Sequence, residues 1–324
     1  MKKLFWLILL ITTFMAFSGL RAETGEVWGY VYNGTQDSAL VNNIDVQLLV
    51  YRGNMLIDDS SHTTATNTAG RFHFSELQID STLVIYPRAT YNTVVYYGPG
   101  VRLNERQFRK NSNIVVYDTT SQRHHVNVQM EHIFLTAENG KVSIREIFLI
   151  ANSGKKTFIG DRTKNTNRRF VLQYPLIKGF ENFELLTPEA ENSVFIKNNS
   201  LYEIDLLPPG TRQLSYRFQV SHSGDQWRYT RPVIYPTGGI NLFLSQPELS
   251  IEGAGIVPMG DFHIKGKKYQ HFSMQQLMPG MIMEFTLKNL PKQTAPIQLM
   301  VLIAVGIFLL VGFGYTFLKN KDKN

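Results

Sequence analysis

The chain has 324 residues, with 33 Lys+Arg against 26 Asp+Glu, a net charge of +7 and no cysteine. The absence of cysteine excludes disulfides, thiolate metal sites and covalent haem attachment. Much of the positive charge lies at Lys2, Lys3, Arg21 and the tail 319–324, leaving 27 basic and 25 acidic residues elsewhere, a net charge of +2. This near-neutral remainder excludes a nucleic-acid-binding domain.

The first 22 residues have the pattern of a secretory leader. Lys2 and Lys3 precede an apolar stretch of 14 residues, 4–17, which is too short to span a bilayer comfortably. Small residues follow, ending at Ala22. We therefore expect a signal peptide over 1–22, cleaved after Ala22, with an uncleaved N-terminal anchor as the alternative.

Short alternating segments separated by turn residues fill the region from 23 to about 290. Such alternation is typical of half-buried antiparallel strands, and "ENGK" at 138–141 is typical of a turn between them. The fold class predicted is all-β, with two tandem β-sandwich domains over 23–120 and 121–290. Three segments carry the pattern most clearly, and their predicted inward residues are Phe72 and Phe74; Val126, Val128 and Met130; and Leu214, Tyr216, Phe218 and Val220.

The first domain resembles the carboxypeptidase regulatory-like, transthyretin-like β-sandwich family. The resemblance covers about residues 25–105, in "GEVWGYVYNGT", "NIDVQLLVY" and "TTATNTAGRFHFSEL". Ala69 stands where the family usually has aspartate. The resemblance implies a fold and a spacer or binding role, with no peptidase activity. The matching positions are Gly29, Val31, Val46, Leu48, Gly70, Phe72 and Phe74.

The C-terminal region predicts a membrane anchor. After a connector at 291–295, residues 296–318 contain one strongly polar side chain, Gln298. A helix of this length reaches about 34 Å, against about 30 Å of hydrocarbon core. Lysines in the tail 319–324 favour a cytoplasmic C-terminus. We expect Pro296 to Leu318 to cross the bacterial cytoplasmic (inner) membrane once, with residues 23–290 periplasmic or extracellular.

Two basic stretches and a group of tyrosines are candidate binding features. The stretch 263–271 holds Lys265, Lys267 and Lys268, and such charge suits anionic headgroups, acidic glycans or an acidic partner; solvated loops are the alternative. Tyr86, Tyr91, Tyr96 and Tyr97 suit a recognition surface or a packed core. The stretch 155–169 is the predicted basic face, with Lys155, Lys156, Arg162, Lys164, Arg168 and Arg169.

The sequence predicts no catalytic, cofactor or metal site. His124 and His125 would point to opposite faces of a strand, and His132 would lie about 26 Å from His124. Ser153 and Lys156 have the S-x-x-K spacing of serine acyl-enzymes, but the spacing follows an apolar strand and predicts a turn. A metal ligand or catalytic site assembled from distant strands remains open.

We therefore expect a non-catalytic single-pass membrane protein that presents two β-sandwiches as a binding or assembly component of the bacterial envelope. The expected partners are the lipid bilayer and an envelope protein, with anionic headgroups or glycan as further possibilities and no nucleic acid. The alternatives are a polysaccharide-binding surface module and an envelope hydrolase whose site is assembled from separate strands.

Overall fold

A computed structural model describes residues 24–58, 61–162, 169–291 and 305–310 of the chain. These residues form two compact units: the first runs to Thr119 and includes Lys155–Thr157, and the second contains the rest. The predicted leader at 1–22 lies outside the described residues, as does most of the predicted span at 296–318. Within the described ranges, residues 305–310 are helical and no helix is long and apolar enough to cross a membrane.

Strands dominate the described chain, so the all-β prediction is confirmed. Three 3-10 turns accompany them, at Gly34–Gln36, Arg123–His125 and Pro188–Ala190. The strands up to residue 120 are β1 Gly25–Asn33, β2 Ala39–Leu40, β3 Asp45–Arg52, β4 Met55–Asp58, β5 Thr63–Ala65, β6 Arg71–Leu77, β7 Leu83–Tyr91, β8 Val94–Tyr97, β9 Arg109–Asn111, β10 Ile114–Val116 and β11 Thr119–Thr120.

The remaining strands belong mainly to the second unit. They are β12 Val126–Glu138, β13 Lys141–Asn152, β14 Thr157–Phe158, β15 Asp161–Arg162, β16 Arg169–Phe170, β17 Leu172–Pro175, β18 Glu181–Leu185, β19 Val194–Lys197, β20 Ser200–Glu203, β21 Gly210–Ser221, β22 Gln226–Pro232, β23 Thr237–Leu244, β24 Ser250–Glu252, β25 Val257–Ile264, β26 Lys267–Leu277 and β27 Ile282–Lys288.

The first unit contains two five-stranded sheets. In one, β1 pairs with β2, β6, β9 and β10; the other has the order β4-β3-β7-β8, with β5 also paired to β3. Strict alternation of buried side chains along β1 gives that strand one inward face. Phe72 and Phe74 are buried between exposed neighbours, as predicted. These inward faces form an apolar core.

Two glycines of the first unit sit where a larger residue is strained. Gly29 lies so close to the backbone carbonyl of Ser112 that an added Cβ would overlap it. Gly70 has a φ of 66°, in the left-handed region that glycine adopts at little cost. Both are among the positions that match the family resemblance of the first domain, and the backbone geometry explains why each is glycine.

The second unit is built on a seven-stranded sheet with the order β18-β21-β13-β12-β23-β26-β25. Only the β12–β23 pair among these is parallel. The turn predicted at 138–141 is confirmed: Asn139 and Gly140 both have positive φ and join β12 to β13, as in a two-residue type I′ hairpin. Smaller sheets contribute to the same core, with the orders β17-β20-β19 and β22-β27-β24.

The predicted inward face of β12 is wrong at one residue. Val126 and Val128 are buried, but the register shifts between Val128 and Met130, a β-bulge. The extra residue moves every later side chain to the opposite face. Met130 consequently lies beside Asn241, and the Asn241 Nδ2 is 2.8 Å from the Met130 sulfur. The next residue, Glu131, is buried.

Candidate functional site

A cluster of five polar side chains lies buried in the second unit. Strands β12 and β13 contribute the carboxylates, β21 contributes a tyrosine, and β22 contributes a tyrosine and an arginine two positions apart. We call this set the ionic cluster, and its members are Glu131, Glu146, Tyr216, Tyr229 and Arg231.

Hydrogen bonds connect the whole ionic cluster. Arg231 Nη2 donates to both carboxylate oxygens of Glu131, at 2.7 and 2.6 Å, and Nη1 lies 3.3 Å from Glu146 Oε2. The hydroxyls of Tyr216 and Tyr229 donate to the two oxygens of Glu146, at 2.6 and 2.7 Å. Each buried charge therefore has a partner, which is what burial of charge requires.

The charges of the ionic cluster do not balance when both carboxylates are ionised. Burial raises the pKa of Glu131 to about 7; Arg231 opposes the rise and Glu146 adds to it. Burial also raises the pKa of the Tyr216 and Tyr229 hydroxyls well above the ordinary value, with Glu146 adding to the rise. Both tyrosines are therefore protonated donors at neutral pH.

The ionic cluster has little free space beside it. Its ionised side chains are almost fully buried, and the guanidinium lies 5.2 Å from the centre of the Phe148 ring. An adjoining cavity, lined in part by Glu131, Arg231 and Tyr174, has a volume of about 20 Å³. That is close to the space of one water molecule, so the geometry of this cluster supports a structural role.

A third buried carboxylate lies in the same unit. Glu203 accepts a hydrogen bond of 3.0 Å from the Tyr174 hydroxyl and pairs with Arg212 Nη1 at 2.8 Å. Burial raises the pKa of Glu203, and Arg212 opposes the rise. Arg212 is partly exposed, so this pair reaches the surface where the ionic cluster does not.

The residues of the predicted basic face lie in different parts of the structure. Lys155 and Lys156 belong to the first unit, where Lys155 pairs with Asp37 at 3.0 Å. Arg162 and Arg169 are register partners in the β15–β16 pair of the second unit. Lys164 and Arg168 lie outside the described residues.

The tyrosines singled out from the sequence divide between core and surface. Tyr96 is buried, and its hydroxyl donates to the Tyr117 carbonyl at 2.9 Å. The Tyr86 ring packs edge-on against Tyr51, whereas Tyr97 is exposed. They do not form one recognition surface along the strands.

The first two histidines considered as metal ligands do not lie on a strand. His124 and His125 belong to the 3-10 turn Arg123–His125, with ring centres 4.1 Å apart. Ser153 follows β13 and donates to the His125 carbonyl, so it is not on a helix with Lys156. Across the described ranges, no three His, Cys, Asp or Glu side chains are grouped to hold a metal ion.

The most exposed apolar strand of the second unit is β25. It ends the seven-stranded sheet and, among the described strands, pairs with β26 alone. Val257, Met259 and Phe262 are 54, 57 and 46% exposed. Exposed sheet edges with apolar side chains are sites of strand pairing unless something blocks them. We call β25 the edge strand.

Pro258 and a bulge protect only the first half of the edge strand. The register shifts between Pro258 and Gly260, and Gly260 has a φ of 92°. Residues 260–264 then pair regularly with β26 up to the hairpin turn at Lys265 and Gly266. These five residues form the accessible part of the edge strand.

The sheet face next to the edge strand is aromatic. Phe243 is buried at its centre, stacked on Phe134 at 4.7 Å and on His271 at 4.9 Å, with Phe262 at 5.7 Å. Burial lowers the pKa of both His271 and His132. The neighbouring His271 lowers the pKa of His132 further. Both histidines are therefore neutral at pH 7. We call this surface the aromatic face, and it comprises His132, Phe134, Phe243, Phe262, Tyr269 and His271.

Positive charge borders the edge strand at its hairpin. Lys268 pairs with Asp261 at 2.7 Å, and Lys267 Nζ lies 5.5 Å from the centre of the Tyr269 ring. Lys265 is exposed in the turn, and neither it nor Lys267 forms an ion pair with any described residue. The second basic stretch of the sequence thus flanks an apolar edge.

Comparison with protein-family models and with curated proteins gave no match.

Proposed function

We propose that the chain is a non-catalytic single-pass membrane protein of the bacterial envelope that presents two β-sandwiches as a binding or assembly component. The signal peptide occupies 1–22, the sandwiches about 23–120 and 121–290, the membrane helix 296–318 and the cytoplasmic tail 319–324. The first sandwich is of the carboxypeptidase regulatory-like type. The pair of five-stranded sheets with buried inward faces supports that assignment.

The observation that carries the binding role is the edge strand. Exposed large apolar residues on an accessible sheet edge are unfavourable in water and invite pairing with another chain. Phe262 extends the aromatic face to that edge. A partner that covers both removes apolar surface from water, which is the main driving force of protein association.

The burial of the ionic cluster supports a non-catalytic role. Its carboxylates accept hydrogen bonds from Arg231 and two tyrosines, and the adjoining cavity accommodates about one water molecule. An envelope hydrolase would need carboxylates that a substrate can approach. No observation on this cluster favours that alternative.

A polysaccharide-binding module is the second candidate, favoured by the aromatic face. Aromatic rings on a sheet suit stacking on sugar rings. The face is, however, built mainly of phenylalanines that stack on one another, with Phe243 buried. Only Phe262 among these six side chains is largely exposed, so a protein partner fits the surface better.

Photo-crosslinking in native membranes tests the proposal. A photoreactive amino acid replaces Phe262 in the full-length chain, in cells of the native host, and the matched control carries it at Val115, an exposed residue of β10. We expect a discrete crosslinked envelope protein from position 262 and none from position 115. Crosslinks that are the same from both positions, or absent from both, would contradict a binding role for this surface.

A further inference from the structure

We propose that residues 260–264 of the edge strand accept an extended peptide strand of a partner protein, whose apolar side chains continue the aromatic face and whose carboxylates meet Lys265 and Lys267. The inference rests on the proposed binding role and specifies its chemistry. The added strand would become the eighth of the large sheet.

The backbone of the edge strand supplies the first argument. A strand that is paired on one side presents unused N–H and C=O groups along the other. Strand addition satisfies these groups regardless of the partner's side chains, and pockets beside alternate residues then set specificity. Pro258 and the bulge leave 260–264 as the regular segment where such a ladder can form.

The two sides of the edge strand differ in chemistry, which defines the partner. Phe262 lies opposite Tyr269 in register and packs 5.8 Å from His271, so the added strand must place apolar side chains on this face. Asp261 and Lys268 pair on the other face. The partner is therefore an amphipathic strand, apolar on one side and polar on the other.

The hairpin lysines favour acidic residues in the partner. Lys265 and Lys267 stand at the end of the accessible segment without an ion-pair partner among the described residues. Charge complementarity at the margin of an interface raises the association rate and excludes partners of like charge. Carboxylates near this end of the peptide would pair with both lysines.

Defined peptides test the proposal on the full-length chain in mild detergent. The probe is a labelled, capped peptide of about eight residues, with two glutamates at each end and alternating valine and threonine between them. Neighbouring residues of a strand point to opposite faces, so one glutamate of the pair at the hairpin lies on the face of Lys267. Controls replace glutamate by lysine, or two valines by proline, which lacks the backbone N–H. Fluorescence anisotropy measures affinity, and amide hydrogen exchange locates the contact. We expect the glutamate peptide to bind at least about tenfold more tightly than either control, and to slow exchange at 260–264.

Two variants and a matched control separate binding from folding. Phe262→Gln should weaken the glutamate peptide about tenfold, because it removes the apolar side chain without adding a charge. Val115→Gln, at another exposed apolar position of a strand, should leave the affinity unchanged. Lys267→Glu should weaken the glutamate peptide and strengthen the lysine peptide. This reversal of preference cannot arise from misfolding.

Three results would overturn the inference. The first is that all peptides bind with equal affinity. The second is that the bound peptide slows amide exchange at residues other than 260–264. The third is that exchange at 260–264 slows when protein concentration alone rises, which would make a second copy of the chain the occupant. Any of these, combined with a specific crosslink from position 262, would leave the proposed binding role in place and reject strand addition.

Discussion

The first unit buries only uncharged polar side chains among its described residues, whereas the second buries three carboxylates and a guanidinium. Asn33, Thr66, Ser112 and Thr157 are the buried polar residues of the first unit. The second buries Glu131, Glu146, Glu203 and Arg231. Both are made of strands with alternating inward faces, so the same secondary structure encloses interiors of different chemistry.

The difference indicates which interactions stabilise the folded structure of each unit. An apolar core tolerates volume-conserving changes, because non-directional burial stabilises it. The ionic cluster joins residues up to 100 positions apart through directional hydrogen bonds, and loss of one member leaves buried charge uncompensated. The second unit should therefore be more sensitive to single polar changes and to pH.

The largest expected effect is that of Arg231→Met. This change keeps the volume but leaves both carboxylates of the ionic cluster without their cation, which should lower the free energy of unfolding of the second unit by about 4 kcal/mol. Amide exchange in increasing urea, resolved by peptide, measures each unit separately. Arg228→Met, at an exposed position of the same strand, is the control and should change nothing measurable.

A core truncation in the first unit should come next. Leu48 is fully buried, and Leu48→Ala should lower the free energy of unfolding of that unit by about 3 kcal/mol through lost burial and a cavity. The same exchange experiment should show no change in the second unit. Equal destabilisation of both units would mean that they unfold as one cooperative block.

The pH dependence should distinguish the interiors. The pKa of Glu131 is about 7 in the folded chain and near 4.5 in the unfolded chain. Between pH 4.5 and pH 7 the Glu131 carboxyl is therefore protonated in the folded state and ionised in the unfolded state. Its stabilising contribution is complete below pH 4.5 and is lost as pH rises through 7. The second unit should lose about 2 to 3 kcal/mol between pH 5 and pH 8.

Glu131→Gln isolates this contribution from other titrating groups. The variant carries no ionisable carboxyl, so the difference between it and the native chain should account for the loss. If urea unfolding of the native second unit is as pH-dependent as that of the variant, Glu131 is not the group responsible.

The smallest effects compare two tyrosine hydroxyls. Tyr229→Phe removes a hydrogen bond to the Glu146 carboxylate and should cost about 2 kcal/mol. Tyr96→Phe in the first unit removes hydrogen bonds to neutral partners and should cost about 1 kcal/mol. Urea unfolding of the two variants checks the order, and a reversed order would contradict the charged-acceptor explanation.

Local sequence patterns predicted the strands and turns well. Alternation predicted β6 and β21, and "ENGK" predicted the turn at 138–141, because these signals depend only on neighbouring residues. The same rule failed at Met130, since a bulge in β12 shifts the phase. Simple alternation, which ignores the bulge, places Glu131 on the solvent-facing side of the strand.

The buried ionic cluster could have been suspected at one position. Along β13, Val142, Ile144, Phe148 and Ile150 alternate inward, and Glu146 occupies the inward position between them. Its partners could not be found, because they come from strands 70 to 85 residues away in sequence. The edge strand was equally hidden, since strand order in a sheet is set by tertiary pairing.

The topology of the chain is the central claim, because every binding proposal requires the strands to lie outside the cytoplasm. Trypsin added to intact spheroplasts tests it most directly, with antibodies against the strand region and against a tag on the C-terminal tail. We predict that residues 24–291 are digested while the tag stays protected until lysis. Protection of the strand region in intact spheroplasts, with digestion only after lysis, would contradict the account.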